Sequence, residues 1–395
     1  MTVPVPVLPF ERAEYDARLA RTRRAMAAAG LEAVVIADPS NMYWLTGYDG
    51  WSFYVHQWVV LPLEEAPFWF GRPMDAAGAL RTAWLPPDDV LSYPEACVQN
   101  PADHPATHLA RALVARGLGQ ARIGVEMDNY YYTAAADAAL RAGLPAARLQ
   151  DATGLVNWQR AVKSPRELDY MRMAGRLVGA AHARILEVAE PGVPKSVVAA
   201  EIQKALITGV PGEAGDYTAI VPMLPSGADA AAPHLTWDAR PMRAGEGTFF
   251  EIGGCYRRYH CPLSRTLFLG RPTDAFLRAE AATLEGMEAG LAAARPGNSC
   301  GDIARAYFAV LARHGIEKES RAGYAVGVSY PPDWGERTMS IRPDDTSVLA
   351  PGMTFHFMTG LWMADMGFEI TETIAITETG HSLIADVPRR LFVKP

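Results

Sequence analysis

The sequence predicts two domains of different class: an α/β domain over residues 1–155 and an α+β domain over residues 156–395. Three observations predict them. The chain has 395 residues, enough for two ordinary cores. Its first third alternates helical patterns with short apolar runs, as an α/β layer does. Residues 248–270 then carry apolar and β-branched runs on either side of a glycine-containing connection, which reads as an antiparallel pair.

Composition narrows the function classes. Hydrophobic residues make up 49% and charged residues 21%, a globular balance rather than a disordered or membrane-embedded one. A net charge of −7 argues against a nucleic-acid surface. No apolar run reaches membrane-spanning length. The start, MTVPVPVLPFERAEYDARL, has neither a basic beginning nor a continuous apolar stretch, so no signal peptide and a cytoplasmic location are expected. Cys97, Cys255, Cys261 and Cys300 have no metal-type spacing and read as reduced thiols.

In chain order, Phe10 to Ala29 is a helix with Tyr15, Leu19, Thr22 and Met26 on one stripe and Gly30 as its stop. Leu31–Ala37 is a buried strand, and further apolar segments lie at 57–63, 66–71 and 121–125. Tyr48, Trp51, Phe53 and Tyr54 cluster in a loop, either as a packed plug or as ring faces walling a cation. Ser164-Pro165-Arg166-Glu167 is a capping box that opens a helix ending before Pro191-Gly192. Lys195–Ile207 is the next helix, followed by a loop of small residues and prolines at 217–233 and then by His234. The stretches 274–294 and 300–314 are helices with packing roles.

One carboxylate sits in the first strand of the antiparallel pair. Glu251 lies between Phe250 and Ile252, so it is either a strand-edge acid facing solvent or a buried functional group.

The pattern from Glu251 to Gly270, with Arg265-Thr266 near its end, resembles the creatinase/prolidase superfamily of pita-bread folds, as do KSPRELDYMRMA at the second domain's start and DPSNMYWLTGYDG near residue 40. The resemblance implies a creatinase-like α/β N-terminal domain, a pita-bread α+β catalytic domain and a homodimer with shared pockets. It also implies that His234, seventeen residues before Glu251, is a substrate-facing histidine.

Metal-dependent members of that superfamily hold a dinuclear centre with five ligands. Here Glu251 stands at the first position, but Pro262, Tyr324 and Met358 stand at the next three, and Thr371 or a displaced Glu372 at the last. A catalytic metal needs at least three protein donors, so no metal and no cofactor is expected. Around this site Tyr330–Arg337, within SYPPDWGERTMS, reads as a binding loop, with Trp334, Glu336 and Arg337 as candidates beside Tyr324; Arg337 suits a carboxylate. In the last strand Glu369, Thr371 and Thr373 share one face and Glu372 takes the other. The resemblance favours Glu372, and Glu369 fits a solvent-facing position.

Carboxylates with aromatic faces and no metal suit a small, cationic, delocalised substrate. VPMLPSGADAAAPHLTWD, GTFFEIGGCYRRYHCPLSRT and SYPPDWGERTMS look like the ectoine hydrolases of this superfamily, and that likeness runs through essentially the whole chain. It implies metal-independent opening of ectoine's cyclic amidine ring, with Glu251 and His234 catalytic and Trp51, Tyr54, Tyr324, Trp334, Glu336, Arg337 and Glu372 binding substrate. Creatinase-like hydrolysis of a linear guanidino acid, a metal-dependent Xaa-Pro peptidase and a non-catalytic binding protein remain open.

Overall fold

A computed structural model describes residues 6–395; the first five residues, part of the stretch read for a signal peptide, lie outside the described residues. The chain divides into two compact units after Arg160.

The first unit is built on a mixed sheet. Its strands are β1 (Ala33–Ile36), β2 (Trp58–Pro62), β3 (Phe68–Gly71), β4 (Val90–Ser92), β5 (Arg122–Val125) and β6 (Arg148–Asp151), in the spatial order β4-β3-β2-β1-β5-β6. Every residue of β1 is buried, as expected of a central strand covered on both faces. Helices α1 (Arg12–Ala28), α2 (Pro39–Thr46), α3 (Pro73–Thr82), α4 (Pro105–Ala115), α5 (Ala134–Gly143) and α6 (Leu155–Arg160) accompany the sheet. The predicted stripe of α1 is buried, and Gly30 follows it at φ +68°. In α2, Asp38 caps the Ser40 amide at 2.8 Å and Gly47 ends the helix at φ +81°. Arg160 donates to Asn41 at 2.7 Å, which ties α6 to α2 and places residues 156–160 with this unit.

The second unit opens with α7 (Pro165–Val188), capped by the expected Ser164/Glu167 box. Glu167 is buried and also accepts from the Tyr259 hydroxyl at 2.6 Å, so the cap fastens the helix to a strand. After α8 (Lys195–Thr208) come β7 (Gly247–Tyr256) and β8 (Tyr259–Leu269), then α9 (Asp274–Ala293) and α10 (Cys300–Arg313). The remaining strands are β9 (Gly323–Tyr330), β10 (Asp333–Ser340), β11 (Thr354–Phe357), β12 (Leu361–Trp362), β13 (Gly367–Phe368), β14 (Glu372–Ile376), β15 (His381–Leu383) and β16 (Phe392–Lys394). The main sheet runs β15-β14-β11-β9-β8-β16, with β7 paired to β8 and β10 to β9.

Two expectations are corrected. The β7–β8 connection is not the glycine-containing stretch expected, Gly253 to Arg258, but Arg257-Arg258 alone, at φ +49° and +65°. Both central residues of this tight hairpin adopt the left-handed conformation that matches strand twist. Gly253 and Gly254 belong to β7, where neighbours approach closely: a Cβ on Gly254 would sit 2.0 Å from the Ala174 carbonyl of α7. SYPPDWGERTMS is likewise no loop. It forms the end of β9 and all of β10, with Pro331-Pro332 between them, and strand alternation buries Trp334 and Glu336 while Arg337 is exposed.

All four cysteines are free thiols. Among the described residues no helix is long and apolar enough to cross a membrane.

Candidate active site

Strand register assembles the site. Glu251 on β7 lies opposite Ser264 on β8. On the other side of β8 a bridge between Arg265 and Ile370 aligns the segment before β14. There the Thr371 amide donates to the Ser264 carbonyl at 3.1 Å, and the Ser264 amide to Thr371 Oγ1 at 2.8 Å. The Glu369 amide donates to Thr266 Oγ1 at 2.8 Å. Side chains two residues apart share a sheet face, so Glu251, Ser264, Glu369 and Thr371 project from the same side.

A hydrogen-bonded chain borders them. Trp334 Nε1 donates to the Tyr324 hydroxyl at 2.8 Å, and that hydroxyl lies 3.1 Å from His356 Nδ1. His356 Nε2 is 2.8 Å from Thr371 Oγ1. Because Trp334 can only donate, the consistent arrangement has the Tyr324 hydroxyl donating to Nδ1 and Nε2–H donating to Thr371. Burial, helped by the charge of Arg321, holds His356 down at about 3 and therefore neutral.

The carboxyls are less provided for. Burial alone pushes Glu251 up to about 7. Glu369 is fully buried and raised well above the carboxylate range, first by burial and then by the charge of Glu251. Neither Glu369 oxygen has a hydrogen-bond partner, and Ser264 Oγ and Trp362 Nε1 are likewise buried and unpartnered. Tyr324 is also raised, by burial and then by Glu251.

The residues expected at the site separate into groups. Glu251, Tyr324 and Trp334 belong to this face. Glu372 is turned away and pairs with Arg265 at 2.6 Å, both buried. Glu336 pairs with Lys163 at 2.6 Å, again with both side chains buried. Arg337 is exposed, and so is His234, in the loop after a short 3-10 turn (Gly227–Ala231). No hydrogen bond joins His234 to Glu251 among the described residues. Trp51 and Tyr54 belong to the first unit and are 60% and 63% exposed; the Tyr54 hydroxyl accepts from Arg72 at 3.1 Å.

The solvent-facing reading of Glu369 is overturned, and His356 and Ser264 were missed. For Glu369 the signal was present: an acid between Phe368 and Ile370 repeats the Phe250-Glu251-Ile252 pattern. His356 had no such signal, because its partners come from β9 and the segment before β14.

The donors do not fit a dinuclear metal centre. Both His356 nitrogens are engaged, and a guanidinium occupies the space beside Glu372. Among the described residues three donors from His, Cys, Asp and Glu converge only at Cys97, Asp103 and His108, in the first unit.

Comparison with known proteins agrees with this architecture. Residues 18–162 match the creatinase/prolidase N-terminal domain, and residues 169–378 match metallopeptidase family M24. The chain is 58% identical to the ectoine hydrolase of Halomonas elongata, covering 98% of this chain and 99% of that one. It is 40% identical to the uncharacterized hydrolase/peptidase y4tM of Sinorhizobium fredii, covering 98% and 99%. The dipeptidase PepE structure from Mycobacterium ulcerans superposes with a TM-score of 0.81 at 25% identity, over 97% of this chain and 99% of that one. A prolidase from Thermococcus sibiricus gives 0.84 at 17% identity over 96% and 99%, a likeness of fold.

Proposed function

This chain belongs to the creatinase/prolidase superfamily, with a creatinase-type N-terminal domain and a pita-bread M24 domain, and from that premise we propose that it opens the cyclic amidine ring of ectoine by hydrolysis. It is a hydrolase of carbon–nitrogen bonds. The observation that carries the substrate is the 58% identity, over nearly the full length of both chains, to the ectoine hydrolase of Halomonas elongata.

The chemistry of the site supports this reading. Buried acids that lack partners are costly in a resting protein and become favourable beside a cation. Ectoine offers an amidinium. Attack on the amidine carbon forms a tetrahedral adduct; cleavage of one carbon–nitrogen bond and protonation of the departing nitrogen give an N-acetylated 2,4-diaminobutyrate.

Glu251 is the group to start this reaction, either as nucleophile or as the base that takes a proton from water. A carboxyl pushed up to about 7 by burial suits a base at neutral pH. His234, in its exposed loop, is proposed as the proton carrier to the leaving nitrogen. Tyr324 and Trp334, hydrogen-bonded beside Glu251, are proposed to border the substrate. Trp51 and Tyr54, exposed in the first unit, suit a role in covering substrate within a homodimer, and the reaction is proposed to be cytoplasmic. Arg337, Glu336 and Glu372 keep only a proposed part in binding; for the last two, their ion pairs favour a supporting role.

The reaction is proposed to proceed without metal, since only Glu251 remains at the first of the superfamily's ligand positions. The test is to treat the enzyme with chelator, add ectoine and follow proton NMR. Loss of the ring signals with a new N-acetyl methyl resonance is expected. Activity appearing only after a divalent metal is added back overturns metal independence, and no turnover in either condition overturns the substrate.

A further inference from the structure

Glu369 is a carboxyl with no part in the chemistry proposed above, and both of its oxygens are buried. Its residue is 0% exposed, and neither oxygen has a hydrogen-bond partner. Ser264 and Trp362 lie alongside it without closing a hydrogen bond. Lys318 exerts an attraction on it, but its ammonium is committed to Ser320 Oγ and the Gly360 carbonyl, both at 2.7 Å.

The surroundings keep this carboxyl in place rather than letting it escape. The Glu369 backbone is held on both sides by Thr266, whose Oγ1 accepts from the Glu369 amide at 2.8 Å and donates to its carbonyl at 2.9 Å. Gly360 closes against it: a Cβ there would lie 2.8 Å from the Trp362 ring and 3.1 Å from Glu369 Cγ. An acid fixed in this way, with no partner, is a standing cost to the folded chain. A cation that enters the site converts it into a gain.

We infer that Glu369 is the second carboxylate of an amidinium subsite: it accepts an N–H of the substrate in the plane of the N–C–N group, while Glu251 addresses the central carbon from the face. This rests on the amidine-hydrolase reading and adds the residue that selects the charge. The division of labour follows from the geometry of an amidinium, whose N–H bonds lie in its plane and whose carbon is open only above and below it. Glu251 on β7 and Glu369 on the segment before β14 flank β8 and project from one sheet face, so both can reach one small ligand. A neutral amide of the same shape has no charge to offer the second acid, so the subsite discriminates against it.

The experiment measures acetamidinium and acetamide binding to the full chain by calorimetry, in the wild type and in Glu369→Gln. The wild type is expected to prefer acetamidinium, and the variant to lose at least about tenfold of that preference, the scale of one hydrogen bond to a charged group. The variant's thermal midpoint is expected to stay level or rise, because a buried carboxyl without hydrogen-bond partners is replaced by an amide of the same shape that Ser264 Oγ can meet. An unchanged preference in Glu369→Gln, or none in the wild type, overturns the assignment. Should Glu369→Gln not fold, Glu369→Asp keeps the carboxyl but withdraws its oxygens; a several-fold smaller preference supports the subsite, and an unaltered one overturns it. Because binding is read without turnover, a wild type that selects acetamidinium through Glu369 yet leaves ectoine intact would sink the ectoine reading and not this one.

Discussion

Lys163 Nζ lies 2.6 Å from Glu336 Oε2, and both side chains are almost wholly removed from solvent. This pair joins the segment before α7 to β10, so Glu336, expected to meet substrate, is held in a buried ion pair. Removing one partner strands a buried charge, which costs about 3–5 kcal/mol. Glu336→Ala is therefore expected to lower the denaturation midpoint steeply, whereas Lys163→Met combined with Glu336→Leu recovers most of that loss. Chemical denaturation of the single and double variants checks it; additive losses would mean that the pair is not coupled.

Tyr324 stands where metal-dependent relatives carry a ligand, and its hydroxyl is shared by Trp334 and His356. Tyr324→Phe leaves a Trp334 donor and a His356 nitrogen buried without partners. The expected loss is about 1–3 kcal/mol of stability, together with reduced turnover because the ring that borders Glu251 is no longer fixed. Parallel thermal melts and ectoine assays test both. A variant as stable as wild type would show that the chain of hydrogen bonds carries little.

Gly254 packs β7 directly onto α7. A Cβ there would stand 2.0 Å from the Ala174 carbonyl and 2.9 Å from the Val178 amide, and backbone cannot rotate aside as a side chain can. Gly254→Ala is expected to destabilise by about 1–3 kcal/mol or more, as overpacked cores do. Gly212, which meets nothing within 4 Å of its Cβ position but sits at φ +87°, is the comparison: Gly212→Ala carries backbone strain alone. Near-equal losses in the two would contradict the close approach.

The fold was legible because its cues are local. The Ser164/Glu167 cap, the stripe of α1 and the apolar strands each appear within a few residues, so periodicity and capping locate them. The site was legible only where one acid interrupts an apolar strand, as at Glu251. Glu369 shows the same pattern, yet alternation without a known core side left its direction open. His356, Lys163 and Arg265 are defined by partners 15, 173 and 107 residues distant, a relation that no window of sequence contains.

Glu251 gives the sharpest test because its stability and activity respond oppositely to pH. Burial lifts its carboxyl from 4.5 to about 7, so the folded chain binds a proton that the unfolded chain releases between those values. That contribution to stability is complete below about 4.5 and is lost as pH rises through about 7, a change of about 3 kcal/mol for one group. Ionised Glu251 is the form that attacks or takes a proton, so kcat/KM for ectoine is expected to climb over the same interval with an acidic limb near 7. Glu251→Gln cannot ionise. It should fold, abolish turnover and flatten this part of the stability profile. Denaturation and rate profiles from pH 4 to 8 decide the matter, and near-normal turnover in Glu251→Gln would remove Glu251 from the reaction.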